Sequence, residues 1–225
     1  MPVEPNAEIE ITAYEWVPPM AQGRIKDLRV RWALEEIGQP YRERLIGGAF
    51  EEKPREYLAD QPFGQVPVYK EGGLTLFESG AIIIHIGARD ERLLPRDAIG
   101  RGRAIGWMVA ALNSVEPMLQ MLVMLHFAAQ DKDWKDAAKD AARPFSEKRL
   151  AQLSRALGNR EWLEESFTIG DLVMVDVLRT VSGQDLLNVH PNLVAYVERG
   201  TSRDAFKAAV AAQLAAFARC ERDAA

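Results

Sequence analysis

The stretch from residue 61 to residue 87 constrains the fold of this chain more than any other part of its sequence. Two short apolar runs, 66–69 and 74–77, flank the glycine-containing stretch 70–73, and a third apolar run, 81–86, follows. Short apolar runs bounded by turn residues are typical of hairpin strands, and a longer one is typical of a helix. The stretch therefore predicts a strand, a tight turn, a second strand and a helix.

Pro67 stands at the start of the first run, although proline lacks the N–H that a buried strand uses. A cis peptide bond between Val66 and Pro67 would account for this, because cis bonds are largely confined to the position before proline. Such a bond would turn the N–H and C=O of Val66 outward, where an extended peptide-like ligand can pair with them. The alternative interpretation is an ordinary strand start.

Glu78 and Ser79 come where the following helix should begin. The first turn of a helix has free N–H groups and a partial positive charge, so it can hold a carboxylate. The Ser79 hydroxyl can add a donor, and the Glu78 carboxylate can accept from an ammonium group. Together they would suit the amino-acid end of a ligand. The alternative is a plain helix cap, since serine is a favoured capping residue.

The N-terminal half has the order βαβαββα. Ahead of the hairpin, the pattern predicts a strand over 9–16, a helix over 24–37, a strand over 41–46 and a short helix over 53–59. A strand–helix–strand start of this kind implies a parallel pair of strands with a right-handed crossover.

The second half reads as helical throughout. Residues 98–130 are long and apolar, with Pro117 as a predicted kink, and residues 132–157 are rich in Ala, Lys and Asp. The charged stretch 90–97 is interpreted as a linker. The predicted domains are 1–89 and 98–225.

A helix start is marked by Thr168, with Asp171 three residues later. This is a capping box with Asp in place of Glu or Gln, and such a cap stabilises a helix by about 1 kcal/mol. Its predicted role is structural.

Composition excludes several classes of function. The 28 Lys and Arg against 33 Asp and Glu give a net charge of −5, which argues against broad nucleic-acid binding. One cysteine and three widely spaced histidines argue against a disulfide framework and a histidine metal site. No apolar run reaches the length of a membrane span, and no signal-peptide pattern opens the chain. We therefore expect a cytoplasmic protein without a metal, nucleic acid or membrane partner.

The order of these motifs resembles the glutathione transferase superfamily. QVPV, then a hairpin, then ESGAI is similar to that family's glutathione-binding half. FTIGD (167–171) is similar to its capping box F-[ST]-x-A-D, with Gly170 for Ala, and RDAF (203–206) to its RPAF segment. The resemblance implies an α/β thioredoxin-like N-terminal domain plus an all-α C-terminal domain, and glutathione as co-substrate.

The resemblance also implies roles for the residues of the two motifs. Pro67 would be cis, and Val66 before it would pair with the main chain of glutathione. Glu78 and Ser79 would hold the γ-glutamyl end.

Two further residues are implied as contacts of the same ligand. Lys53, fourteen positions before Pro67, would hold the glycine carboxylate of glutathione. Its alternative is an ordinary surface lysine. Gln65, directly before Val66, would also contact the ligand.

The residue that activates the glutathione thiol is harder to place. The family usually supplies a Tyr, Ser or Cys just after the first strand, but residues 17–31 contain no Ser, Thr, Tyr or Cys. The catalytic candidates are Tyr14, whose hydroxyl could reach back from the strand, and Arg24 or Lys26, which could add positive charge at the start of the helix. The alternative for Tyr14 is an aromatic side chain packed in the sheet, and the alternative for Arg24 and Lys26 is a solvated helix face.

The function implied is that of a glutathione transferase, active as a homodimer, that activates the glutathione thiolate for attack on small hydrophobic electrophiles. The alternatives are a non-catalytic glutathione-binding or regulatory protein of the same fold, and a glutathione-dependent isomerase or thiol–disulfide reductase. Apolar residues are candidates for a second-substrate pocket. These are Met20, Trp107, Met108, Met121 and Met124.

Overall fold

The computed structural model describes residues 3–49, 51–128, 132–182 and 185–223. Four strands form one mixed sheet in the order β2-β1-β3-β4. They are β1 (Ile9–Tyr14), β2 (Tyr41–Ile46), β3 (Val68–Glu71) and β4 (Leu74–Phe77). Three helices accompany the sheet: α1 (Asp27–Glu36), α2 (Arg55–Asp60) and α3 (Ser79–Gly87). The predicted thioredoxin-like α/β architecture is confirmed.

The sheet brings the ends of its parallel strands together. β1 and β2 are paired in parallel from Ile9 with Tyr41 to Tyr14 with Ile46, whereas β3 runs antiparallel to both β1 and β4. The carboxyl ends of parallel strands are a common place for ligands in α/β proteins. Tyr14 stands at that end of β1, so the segment after it is where a site should be sought.

β1 ends two residues earlier than predicted. The amide of Glu15 still donates to the carbonyl of Ile46 at 2.9 Å, but Trp16 is exposed and two prolines follow. Because proline has no N–H to donate, the ladder cannot continue there. Gly23 then takes a positive φ of 73°, and α1 begins only at Asp27, three residues after the predicted start.

The second half of the chain is helical, as predicted. Its helices are α4 (Ala98–Ala110), α5 (Glu116–Ala128), α6 (Lys135–Leu157), α7 (Ile169–Leu178), α8 (Asp185–Asn188), α9 (Pro191–Thr201) and α10 (Asp204–Asp223). The predicted end of the first of them, at residues 129–130, lies outside the described residues, as do the outermost positions 1–2 and 224–225 of the predicted domains.

A single wide turn joins α4 to α5. Residues Ala111–Val115 form a π-helix immediately before Glu116 and Pro117. Pro117 has no N–H for the carbonyl one turn earlier and its ring crowds that turn, so an extra residue in the turn gives the ring room. The disturbance predicted at Pro117 is therefore a π-turn.

The helix of residues Ala98–Leu125 is long and apolar enough to cross a membrane by length and composition alone. An 18-residue window of this helix has a mean hydropathy of 1.4, and 22% of that window is buried within the part of the chain that the structure describes. Several of its apolar side chains are exposed. They are Ile99, Val109, Met121 and Met124.

The chain divides into two compact units, Met1–Leu93 with Ser202–Ala225, and Leu94–Thr201. The prediction had placed everything after residue 98 in the second domain. α10 instead packs against α1, where the rings of Trp32 and Phe206 meet edge to face with centroids 4.9 Å apart. The last helix is therefore part of the sheet unit.

The second unit is organised around the predicted capping box, which is confirmed. Thr168 caps α7, and its amide donates to Asp171 Oδ2 at 2.9 Å. The other carboxylate oxygen of Asp171 accepts from the amide of Leu163 at 2.8 Å and from the Tyr196 hydroxyl at 2.9 Å. Asp171 is fully buried, so one carboxylate joins the helix start to the preceding loop and to α9.

Candidate functional site

Hydroxyl groups fix the chain on both sides of Pro67. The peptide bond between Val66 and Pro67 is cis. The Val68 amide donates to Thr12 Oγ1 at 2.7 Å, and Thr12 Oγ1 lies 3.1 Å from the Tyr57 hydroxyl. Tyr57 donates its only hydroxyl hydrogen to the carbonyl of Gln65, so Thr12 must be the donor to Tyr57. This relay from β1 through α2 sets the position of Val66.

The start of α3 has an unusual main-chain conformation. Glu78, the residue before Ser79, has φ 68° and ψ 114°, a main-chain conformation that residues other than glycine seldom adopt. Its carboxylate makes no capping hydrogen bond to the helix. Strained residues of this kind cost about 1–3 kcal/mol and cluster at ligand sites. The side chain of Ser79 is buried beside the first turn of α3.

These two segments meet in one polar recess of the sheet unit. The recess is lined by Lys26, Gln61, Gln65, Val66, Pro67, Glu78 and Ser79. Five of the six predicted ligand-binding residues are among them. The recess therefore offers a main-chain edge, a helix N-terminus, a carboxylate and an ammonium group within one small space.

Lys53, the sixth predicted ligand-binding residue, is not part of this lining. Its ammonium group donates to the carbonyl of Gly48 and, at 2.8 Å, to that of Glu51. It also lies 5.2 Å from the centre of the Tyr14 ring, within the range of a cation–π contact. The structure thus shows a buried lysine that ties down its own loop.

Tyr14, a predicted catalytic candidate, ends β1 in an apolar cluster. It is 8% exposed, and the cluster is formed by Tyr14, Val17, Ile46, Tyr57, Val66, Val68 and Phe217. Burial, and to a lesser extent the charge of Asp27, raise the pKa of Tyr14, whereas a hydrogen bond from the Val66 amide acts in the opposite direction. The phenol is therefore a neutral hydrogen-bond donor at neutral pH, placed next to the edge of Val66.

Arg24, the other predicted catalytic candidate, lies outside the recess lining. Its side chain is exposed, and its amide donates to the carbonyl of Ala21 at 3.0 Å. The prediction that Arg24 stands in the first turn of the helix was wrong, because α1 starts at Asp27. Lys26, directly before that start, is the cation that reaches the recess.

Sequence reasoning assigned no recess role to Gln61. Its side chain is almost fully buried, and its Oε1 accepts from the amide of Phe63 at 2.8 Å. Nothing in its immediate sequence distinguishes it from a surface glutamine. In the part of the chain that the structure describes, no group of three or more His, Cys, Asp or Glu residues is arranged to hold a metal ion.

Comparisons with known proteins agree with this geometry. The family model described as glutathione S-transferase, N-terminal domain, matches residues 12–88. Glutathione S-transferase P of Bos taurus is 26% identical over 194 residues, which are 84% of this chain and 88% of the relative.

Solved structures share the fold over nearly the whole chain. A glutathione transferase from Pseudomonas putida with glutathione disulfide bound has a TM-score of 0.78 at 21% identity, covering 93% of both chains. One from Burkholderia graminis with two glutathione molecules bound per subunit has a TM-score of 0.76 at 24% identity, covering 90% of this chain and 87% of that chain. The family model over residues 12–88 and the relative that covers 84% of this chain are both glutathione S-transferases, so this chain is similar to that superfamily, and the solved structures share its fold.

Proposed function

We propose that this protein is a glutathione transferase that activates the glutathione thiol for attack on small hydrophobic electrophiles. One observation carries the proposal: a single recess joins the Val66 edge beside Pro67 to the helix start at Glu78 and Ser79. Proteins can bind a peptide-like ligand by forming hydrogen bonds between the two main chains. They can bind a carboxylate at the N-terminus of a helix. Glutathione has both features, a peptide main chain and a γ-glutamyl end with an ammonium and a carboxylate.

In this proposal each part of the recess has a partner on glutathione. The carbonyl of Val66 pairs with the cysteinyl residue, since the Val66 amide already donates to Tyr14. The γ-glutamyl carboxylate lies at the first turn of α3 and accepts from Ser79, while the Glu78 carboxylate accepts from its ammonium group. The unusual conformation of Glu78 supports this arrangement, because it leaves the carboxylate unused by the helix. Gln65 completes the contacts along the same edge.

The Tyr14 hydroxyl is our proposed donor to the thiolate. A free thiol has a pKa of about 8.5, so the enzyme must stabilise the thiolate at neutral pH. Burial raises the pKa of Tyr14, which keeps the phenol protonated and able to donate. Because Tyr14 lies beside the Val66 amide, it is close to where the cysteinyl residue would bind.

We expect Tyr14→Phe to lower turnover about tenfold to a hundredfold, with little change in glutathione affinity. This loss lies at or below the effect of removing one preorganised hydrogen-bond donor from an active site. The pKa of bound glutathione, followed by thiolate absorbance, should rise in the variant. Tyr41→Phe is the matched control, since it removes the hydroxyl of another buried tyrosine of the sheet unit that does not line the recess. Equal turnover in wild type and Tyr14→Phe would exclude Tyr14 as the donor.

A second candidate function is non-catalytic glutathione binding. It is favoured by the absence of Ser, Thr, Tyr and Cys from residues 17–31 and by the packing of Tyr14 in an apolar cluster. Calorimetry with glutathione, followed by assays with chloronitrobenzene-type, isothiocyanate, peroxide and mixed-disulfide substrates, separates the two. Binding without turnover supports the second candidate, and turnover only with mixed disulfides indicates a reductase. No binding at millimolar glutathione would contradict both.

The proposal includes a cytoplasmic homodimer. The exposed apolar side chains of Ala98–Leu125 give an observation for it, because large exposed apolar patches mark protein interfaces. Gly102 and Gly106 lie on the same helix with nothing within 4 Å of an added Cβ, so a second copy could approach its main chain closely. We expect light scattering to give twice the mass of one chain, and Val109→Glu to shift the protein toward the monomer. A monomeric wild type at micromolar concentration would contradict this.

A further inference from the structure

We propose that Gln213, on α10, is a positioning residue that holds Lys26 in the recess, where the Lys26 ammonium pairs with an anionic group of glutathione. The inference rests on the proposed function, because glutathione is the ligand it invokes. It adds a cation to the site and assigns a role to the last helix.

Lys26 carries its positive charge at a position where the helix itself does not favour one. It occupies the cap position of α1, next to the partial positive charge of the helix N-terminus, where anions rather than cations are favoured. Among the described residues that line the recess, it is the one with a positive charge. A local rule broken at a ligand site is typical of a functional residue.

Gln213 contacts the residues on both sides of Lys26, the main chain of Ile25 and the side chain of Asp27. Its Nε2 donates to Asp27 Oδ1 at 2.6 Å and lies 3.3 Å from the carbonyl oxygen of Ile25. Its side chain is fully buried, so both contacts are shielded from water. Because Ile25 and Asp27 are the chain neighbours of Lys26, these contacts set where the lysine side chain starts.

Charged groups hold Asp27 in turn. Its Oδ2 accepts from Arg31 Nε at 2.8 Å, and Arg31 also pairs with Glu43 on β2. Glu43 accepts from Arg219, a second residue of α10. The last helix therefore fixes the first turn of α1 at two places, once directly through Gln213 and once through this chain of ion pairs.

The anion that Lys26 takes is a carboxylate or a thiolate. A lysine ammonium is a compact charge on a flexible stem, suited to a single anionic group. Glutathione offers two carboxylates and, when activated, one thiolate. S-methylglutathione keeps the carboxylates and lacks the thiolate, so it distinguishes the two sources.

The test is a double-mutant cycle on glutathione affinity, measured by calorimetry. We expect Lys26→Met to weaken binding about tenfold, the effect of one charged hydrogen bond, and Lys26→Arg to retain most of the affinity. Gln213→Met should weaken binding to a similar extent, and the double variant should be no weaker than Lys26→Met. Such non-additivity is the mark of residues that act through one another, and a merely structural residue would not show it.

Arg203→Gln is the matched control. Arg203 joins the start of α10 to Glu36, at the opposite end of α1, through two contacts of 2.6 and 2.7 Å. Its loss should lower the melting temperature and leave glutathione affinity unchanged. Gln213→Met leaves Asp27 Oδ1 without this donor, but Asp27 keeps its contact with Arg31. The substitution also removes Oε1, which is buried with no hydrogen-bond partner among the described residues, so the variant is expected to fold. Lys26→Met, at a partly exposed position, tests the ammonium group independently.

Wild-type affinity in Lys26→Met or in Gln213→Met, or effects that multiply in the double variant, would overturn the inference. If wild type itself binds no glutathione, the proposed function fails instead, so the two failures are distinguishable. A loss with glutathione that is absent with S-methylglutathione supports the inference with the thiolate as the anion. Equal losses with both ligands support it with a carboxylate.

Discussion

Replacing Asp171 with alanine is expected to lower the free energy of unfolding by about 3 kcal/mol or more, because each buried donor left without its acceptor costs about 1–3 kcal/mol. Four donors would be left in this way: the amides of Leu163 and Thr168 and the hydroxyls of Thr168 and Tyr196. The site is fully buried, so water cannot readily replace the carboxylate. Urea unfolding followed by circular dichroism measures the loss.

Asp97→Ala is the control for this prediction. Asp97 caps α4 and accepts from the amide of Gly100 at 2.8 Å, but that contact is exposed to solvent. Its loss should cost about 1 kcal/mol, the usual value for a helix cap. A similar cost for Asp97→Ala and Asp171→Ala would contradict the role of Asp171 as the joint of three segments.

Ser79→Ala is expected to weaken glutathione binding about tenfold to a hundredfold, since a hydrogen bond to a charged group contributes about 1.5–3 kcal/mol. The hydroxyl lies at the first turn of α3 and lines the recess, where we place the γ-glutamyl carboxylate. Folding should be little changed, because Ser79 stands in the first turn of a helix and alanine is the strongest helix former. Calorimetric titration with glutathione gives the change in affinity.

The matched control for Ser79→Ala is Ser146→Ala, in the other compact unit. Ser146 is also a buried helical serine, and its hydroxyl donates to the carbonyl of Met118 at 2.8 Å. Its replacement should reduce stability and leave glutathione affinity unchanged. If Ser79→Ala binds glutathione as wild type does, the ligand is not held at the start of α3, and the proposed function loses its main support.

Local sequence was sufficient where one segment determines its own structure. β2 and β4 have the predicted bounds, because glycine or proline stands near their ends and limits how far an extended strand can run. The centre of the recess was predictable for a related reason. Val66 and Ser79 are thirteen positions apart, and the hairpin between them brings them together whatever the rest of the chain does.

Local sequence was insufficient where distant segments decide. At the start of α1 the carboxylate of Asp27 accepts from Gln213, 186 positions later, and no pattern around residue 24 contains this contact. The ammonium of Lys53 donates to two nearby carbonyls, and the ligand contact that the family resemblance implied for it stays a prediction. The place of Lys26 in the recess follows from the same long-range packing.

The return of α10 to the sheet unit has a consequence for the order in which the protein can form. The helical unit Leu94–Thr201 is contiguous, whereas the sheet unit needs residues from both sides of it. On a ribosome, which supplies residues from the N-terminus onward, the helical unit has all its segments first. A nascent chain that stops before residue 202 leaves Trp32 without Phe206 and Asp27 without Gln213, so the recess is assembled last.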